Sequence, residues 1–312
     1  MPNQTTDTIL MIRPASFGFN TQTAESNAFQ HQLALSQSEI QEKVWAEFDA
    51  FVAKLTAKGV QVEVIQDTEF PPKPDAVFPN NWVSFHPDGI VYLYPMCTPN
   101  RRAERRLDII ETLKNRFDIR EIKDLSPSES EDRILEGTGS MVFDHLNLKV
   151  YACISPRTEK TLLEEYAVQI GYEPVVFTAL DQNGGEIYHT NVVMCMGEGF
   201  AVICLDTIRE KTERENVEKI LRETGNEIVD IRLAQMNHFA GNMLEVNNAE
   251  GKKYLVMSQS AYDALTEAQK TQIERFTEII PVAIPTIETI GGGSARCMMA
   301  EIFCPKKQII IT

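Results

Sequence analysis

Apolar residues in this chain fall into short paired runs, and the pairs repeat. The segments NWVSFHPDGIVYLYPM, SMVFDHLNLKVYACI, NVVMCMGEGFAVICL and NMLEVNNAEGKKYLVM share one grammar. Each has a small polar residue (Asn81, Ser140, Asn191, Asn242), an apolar run, a polar turn and a second apolar run. The second run ends at Met96, Ile154, Leu205 or Met257, 14 or 15 residues on. Runs this short, bounded by turn residues, predict a pair of strands. A helix with Ser, Thr or Asp near its start is expected after each pair. A third β-like stretch follows three of these helices, at 173–177, 227–231 and 279–282.

The two ends complete the pattern. Residues 297–303 read as a first strand with no helix after it, and 8–13 as a strand followed by a helix and a strand over 60–65. That helix repeats apolar residues at Ile40, Val44, Phe48, Phe51, Val52 and Leu55 and stops at Gly59, the spacing of an amphipathic helix with a glycine end. The termini are therefore expected to build a fifth unit between them, with 309–312 either extending it or adding an edge strand. A strand-strand-helix-strand unit recurring about every 50 to 60 residues predicts an array or propeller-like closure rather than an open sheet. Two linkers interrupt it, the proline-rich 68–79 and the Ser/Glu/Asp-rich 124–133, both expected to be solvated loops.

Composition narrows the function classes. With 312 residues, 43% of them hydrophobic, the chain can bury a core without disulfides. Six cysteines at 97, 153, 195, 204, 297 and 304 show no paired metal spacing, and Cys153, Cys195, Cys204 and Cys304 read as small buried hydrophobes. A formal charge of −15 disfavours nucleic acid and anionic membranes as partners. No leader pattern or run of about 18 apolar residues appears, so a cytoplasmic protein is the expectation.

In the repeat, the residues just before each first strand share one end of the molecule. Those positions hold Asn80 and Asn81, Glu136 to Ser140, His189 with Asn191, His238 to Asn242, and Arg296 with Cys297. A thiol, an imidazole, a carboxylate and several amides thus come from distant segments to one mouth. His31, His86 and His145 read as surface or turn residues. No phosphate-binding loop, dinucleotide glycine fingerprint or metal-ligand cluster is present.

The repeat and the strings LEGTG, YHTNV, ISPRTEK, NRRAE and GGGSARCMMAEIF resemble the guanidino-group-modifying enzyme superfamily, which includes arginine deiminases, dimethylarginine dimethylaminohydrolases, N-succinylarginine dihydrolases and amidinotransferases. The MIRP start, FPNNW and SARCMMAEIF are most similar to its amidinotransferase-like branch associated with citrulline hydrolysis. The resemblance runs over nearly the whole chain. It implies one catalytic domain over residues 1–312, an α/β fold, and a five-bladed α/β propeller of pseudo-symmetric ββαβ units.

It also implies roles. Cys297 matches the family nucleophile, His189 the general acid/base, and Glu136 the acidic partner that orients the histidine or holds a substrate nitrogen. The attacking form of a cysteine is the thiolate, which Arg296 or a protonated His189 is expected to favour. Arg157, with Arg101 or Arg102, stands where substrate-carboxylate binders are found, and guanidinium suits that task by its bidentate geometry. Asn80, Asn81, Asn191, Asn242, Arg296 and His238 are substrate-pocket candidates, His238 as a lining residue. Such thiol chemistry needs no cofactor or metal. The expected partner is a small amino-acid substrate, and a homo-oligomer is compatible with this.

The departures from the family pattern bear on the substrate. Where arginine deiminases carry aspartates against the guanidinium, in patterns like FTRD, HxD and ExGD, this chain has Asn81, Asn191 and Gly139. A carboxylate only accepts hydrogen bonds and balances a cation, whereas an amide donates and accepts and carries no charge. A ureido carbonyl would find a donor there, while a buried guanidinium would lack counter-charges. The expectation is a cysteine-dependent C–N hydrolase converting citrulline to ornithine, with amidino transfer, arginine deimination or a silent binding protein as alternatives. Asp75, Glu136 and Glu245 are acids that could still serve a cation.

Overall fold

The computed structural model describes residues 3–24 and 26–307. Residues 309–312, expected to prolong the last unit, lie outside them.

Among the described residues, five three-stranded sheets carry the fold. Strand β1 (Thr8–Arg13) runs parallel to β2 (Gln61–Gln66) across the helix Gln37–Ala57. Strands β3 (Val83–Phe85) and β4 (Ile90–Leu93) are antiparallel, with β5 (Glu121–Asp124) parallel to β4. The same arrangement recurs in β6 (Val142–Asp144), β7 (Lys149–Cys153) and β8 (Glu173–Phe177). It recurs in β9 (Met194–Gly197), β10 (Phe200–Ile203) and β11 (Glu227–Asp230). It recurs once more in β12 (Leu244–Asn247), β13 (Lys253–Ser258) and β14 (Glu278–Val282). Strand β15 (Ala300–Glu301) then pairs antiparallel with β1, so the two ends of the chain share one sheet. The ladders stay separate; an isolated bridge between Phe85 and Ile302 ties two of them together.

The first helix follows the apolar spacing. Ile40, Val44, Phe48, Phe51 and Leu55 are buried against Ile9 and Met11 of β1, and Ser36 with Glu39 caps its start. Val52 is only partly buried, and the chain turns at Gly59 with φ +83°. Three of the hairpins, and strand β15, are each preceded by a short turn that the strand pattern does not reveal: Pro79–Asn81, Gly137–Ser140, Thr190–Val193 and Ala295–Met298. Those turns, with Glu136 and His189 immediately before two of them, hold much of the predicted mouth.

Three expectations need correction. Cys297 does not open a strand; it sits in the 3₁₀ turn Ala295–Met298, and only Ala300–Glu301 pairs. Strand β5 escaped the apolar pattern because EIKD buries none of its side chains fully. The linkers are not simply solvated. Lys73 and Asp75 are 1% and 2% exposed, and Lys73 Nζ donates to Thr68 O at 2.9 Å, Thr68 Oγ1 at 2.8 Å and Pro71 O at 2.9 Å. In the second, Glu129 accepts from Met96 N at 2.8 Å and pairs with Arg105.

Among the described residues, no helix is long and apolar enough to cross a membrane, and no group of three or more His, Cys, Asp or Glu could hold a metal. Burial pushes the thiols of Cys153, Cys195, Cys204 and Cys304 up to about 12, which leaves them inert near neutrality.

Candidate active site

Cys297 follows a glycine run that has to pack closely. A Cβ on Gly291 would meet the Phe78 ring at 2.8 Å, and one on Gly292, at φ +61°, would meet Gln30 at 2.5 Å. The Gly292 carbonyl accepts from Tyr188 Oη at 2.6 Å and from Asn27 Nδ2 at 3.2 Å. The loop is therefore clamped from two sides, and it delivers the thiol into a small cavity. That cavity, about 20 Å³, is lined by Asp75, Asn81, Arg101, Arg157, His189 and Cys297 among others, with Thr23 and Asn27 over it.

Amides surround the sulfur. Asn242 Nδ2 lies 3.3 Å from Sγ and Asn191 Nδ2 3.6 Å from it. Asn242 is held in one orientation, because Arg296 N donates to its Oδ1 at 3.0 Å and its Nδ2 donates to Asn191 O at 2.9 Å. The Arg296 guanidinium points elsewhere, to Met299 O at 2.9 Å and Glu301 at 2.7 Å. The expectation that it favours the thiolate is thereby overturned.

His189 and Glu136 form a fully buried pair, Nε2 to Oε2 at 2.8 Å. Burial opposes the Glu136 charge, but Arg157, the hydrogen bond with His189 and Arg101 together hold its carboxyl well below the usual carboxylate range. Its Oε1 also accepts from Cys97 N at 2.9 Å. Burial pushes His189 down to about 4, against the pull of Glu136. At neutral pH the imidazole is therefore uncharged, with Nε2–H donating to the carboxylate and a lone pair on Nδ1. That Nδ1 has no partner among the described residues. An imidazolium beside the thiol, expected from the sequence, is absent from this resting arrangement.

The arginines divide. Arg101 is in the cavity, whereas Arg102 binds Met96 O at 3.1 Å and Glu129 at 3.1 Å, away from it. Arg157 lies over the Tyr188 ring at 4.9 Å, donates to Ser26 Oγ at 2.7 Å, and keeps its Nε without a partner. Asn81 Oδ1 accepts from Arg101 at 3.0 Å, leaving Nδ2 unpartnered. Gly139 lies beneath these groups, where a Cβ would meet Asn81 Nδ2 at 2.3 Å and His189 Cε1 at 2.7 Å. No side chain fits there without displacing both.

Two sequence candidates fall outside. His238 is exposed and lines a separate surface cleft with Phe29 and Phe239. Asn80 is buried without side-chain partners but does not line the cavity. Of the nearby acids, Glu245 belongs to another cavity with Cys195 and Glu301, and burial pushes it up to about 7. Asp75 is in the site: its Oδ2 accepts from Asn20 Nδ2 at 2.6 Å, Oδ1 is free, and Arg101 Nε is 3.7 Å away. Burial pushes its carboxyl up, against the pull of Arg101. From the sequence Asp75 stood only as an acid that could serve a cation; Tyr188, beside the histidine in YHTNV, and Thr23 and Asn27 were missed.

No curated protein sequence matches the chain. Solved structures do match its fold. ArgZ without ligand, an arginine dihydrolase from the ornithine-ammonia cycle in cyanobacteria, aligns with a TM-score of 0.73 at 17% identity over 96% of this chain. The chain spans only 41% of that protein's length. The substrate-bound N-terminal domain of ArgZ, as a cysteine-to-serine mutant, gives 0.71 at 18% identity, covering 96% of this chain and 98% of that one. A dimethylarginine dimethylaminohydrolase adduct with 4-chloro-2-hydroxymethylpyridine gives 0.63 at 13% identity, over 95% and 99%. At these identities the likeness establishes the fold. The profile of the family described as N,N dimethylarginine dimethylhydrolase, eukaryotic, matches residues 13–304, and on that match the chain belongs to this family, within the guanidino-group-modifying superfamily.

Proposed function

We propose that the chain is a single catalytic domain, its five units closing as a five-bladed propeller, and that it hydrolyses a C–N bond of citrulline through Cys297. The observation that carries the substrate reading is the set of amides at the sulfur: Asn242 and Asn191 beside Sγ, with the free Nδ2 of Asn81 in the same cavity. A neutral ureido group meets donors there for its oxygen and no requirement for counter-charge.

His189 Nδ1 takes the thiol proton as sulfur bonds to the ureido carbon, and passes it to the δ-nitrogen as the C–N bond breaks. Ornithine leaves and a thiocarbamate remains on Cys297. Water, losing a proton to His189, then attacks that carbon; the C–S bond breaks, the thiol regains its proton, and the released carbamic acid falls to carbon dioxide and ammonia. Glu136 keeps the imidazole oriented and lowers the energy of its transient charge. Arg157, with a free Nε, suits the α-carboxylate, and Asp75, with a free Oδ1, suits the α-ammonium.

The carboxylates of Asp75 and Glu136 favour a second reading, in which a guanidinium is accepted and arginine is deiminated or carried through to ornithine, as the name arginine dihydrolase says of ArgZ. Amidino transfer differs only in an amine replacing water. Mass-spectrometric product analysis over citrulline, arginine, agmatine and methylarginines, with and without an added amine, separates these. Ornithine from citrulline, lost in Cys297→Ala while the fold is retained, is expected; full turnover by that variant ends the proposal.

A further inference from the structure

We propose that Tyr188 is a positioning residue that couples the two ends of the substrate site: its ring carries the guanidinium of Arg157, and its hydroxyl holds the loop that presents Cys297. The proposal deepens the reading above and rests on it for Arg157 as the partner of the α-carboxylate.

Tyr188 is buried and lines the cavity, in contact with both Arg157 and the glycine run. Hydrogen bonds alone do not fix the Arg157 guanidinium. Nη2 donates to Ser26 Oγ at 2.7 Å, Nη1 stands 3.5 Å from Glu136 Oε2, and Nε has no partner among the described residues. What supports its face is the Tyr188 ring, whose centroid is 4.9 Å from Cζ. A cation over an aromatic face gains more when both are withdrawn from water. The backbones are tied as well, because Ser155 Oγ donates to Tyr188 O at 2.8 Å and accepts from Arg157 N at 3.1 Å. Phe29, edge-on at 6.2 Å, and His189, at 4.7 Å, pack against the same ring and keep it in place.

The other end of the side chain reaches the nucleophile loop. Burial pushes the phenol far above its ordinary value, so near neutrality the hydroxyl is a donor. It donates to Gly292 O at 2.6 Å, at the residue where the loop turns with φ +61°. The loop is next held at Ser294, whose Oγ donates to Glu288 at 2.6 Å and whose carbonyl accepts from Cys297 N at 2.9 Å. Between these two anchors and the thiol there is little freedom left. One rigid side chain thus spans from the carboxylate grip to the loop that places the sulfur, and a substrate bound by Arg157 meets Cys297 at a set distance.

Two substitutions separate the ring from the hydroxyl. Tyr188→Phe keeps the ring, so kcat on citrulline is expected to fall roughly three- to tenfold. Affinities for citrulline and its decarboxylated analogue 4-ureidobutylamine, measured by calorimetry in the Cys297→Ser background, should stay as in the parent. Tyr188→Met, apolar and without an aromatic face, is expected to lower kcat as well and to weaken citrulline roughly tenfold with 4-ureidobutylamine unaffected. A general loss of structure would weaken both ligands alike. An unchanged kcat in Tyr188→Phe overturns the proposal, as does an unchanged citrulline-to-analogue ratio in Tyr188→Met. Should Tyr188→Met fail to fold, the near-isosteric Tyr188→Phe decides alone. A parent that acts on arginine instead of citrulline refutes the ureido reading, and the same ratios for arginine against agmatine then decide the role of Tyr188. A parent that binds citrulline no better than 4-ureidobutylamine removes Arg157 from the α-carboxylate and overturns the proposal together with that assignment.

Discussion

Asn242 places its amide nitrogen 3.3 Å from Sγ of Cys297, in an orientation dictated by the Arg296 backbone N–H on one side and the Asn191 carbonyl on the other. One can only donate and the other only accept, so the amide cannot turn over. With His189 uncharged and the Arg296 side chain turned away, the groups facing the sulfur are amide donors rather than a cation. Asn242→Ala should therefore slow alkylation of Cys297 by iodoacetamide at pH 7 roughly ten- to a hundredfold, the worth of a hydrogen bond to a charged group. An unchanged rate would show that the sulfur gains nothing from this contact.

The side chain of Arg296 supplies the complementary test. Because it serves Glu301 and Met299 O, Arg296→Ala should leave the alkylation rate within about twofold of the parent. It should lower stability by about 3 kcal/mol, since it strands a largely buried carboxylate. Denaturant melts and alkylation on the same preparation measure both. A large fall in alkylation with stability intact would return Arg296 to the site.

Acid pH probes His189. A base held at about 4 stays unprotonated far below the ordinary histidine value of 6.5, so the acid limb of kcat/KM should fall near 4 rather than near 6.5. Stability moves in the same window. His86, His145 and His189 are all pushed down to about 4 by burial, so between 6.5 and 4 the unfolded chain takes up protons that the folded chain does not. Their contribution is complete above 6.5 and is lost as pH falls toward 4. Glu104 and Glu245, which burial pushes up to about 7, take up protons in the folded chain over the same range and act in the opposite sense. The histidine contribution is therefore read by difference. The change in melting temperature from pH 7 to pH 5 at fixed ionic strength should be more negative for the parent than for His86→Gln, and equal changes would contradict this burial.

Charge at the amides should change the preferred substrate. Asn81→Asp with Asn191→Asp replaces donors by acceptors and adds negative charge beside Arg101 and Sγ. Citrulline use should weaken and affinity for arginine-like cations should rise, each by about tenfold. Improved citrulline turnover in the double variant would contradict the neutral-substrate argument.

Much of this protein follows from its amino-acid order. Each ββαβ unit must bury its own apolar strands, so periodicity shows locally, and four hairpins and the helix carrying Val44 and Phe48 are visible without a structure. Cys297, His189 and Glu136 are legible because each stands just before a strand of the repeat, and the resemblance marks the same three residues. The polar strand β5 left no apolar trace and so stayed hidden.

Tertiary structure decided where side chains point. Successive residues of a 3₁₀ turn are about 120° apart, so Cys297 enters the cavity while Arg296 leaves it, and Arg101 turns in while Arg102 turns out. No periodicity in the chain carries that information, since both members of each pair are polar and adjacent. Asp75 entered the site through a loop locked by the buried Lys73, whose partners are backbone carbonyls and Thr68. Residue type and spacing determine which groups are brought to one end of the molecule. Which of them face one another is set by packing and by the partner each donor finds.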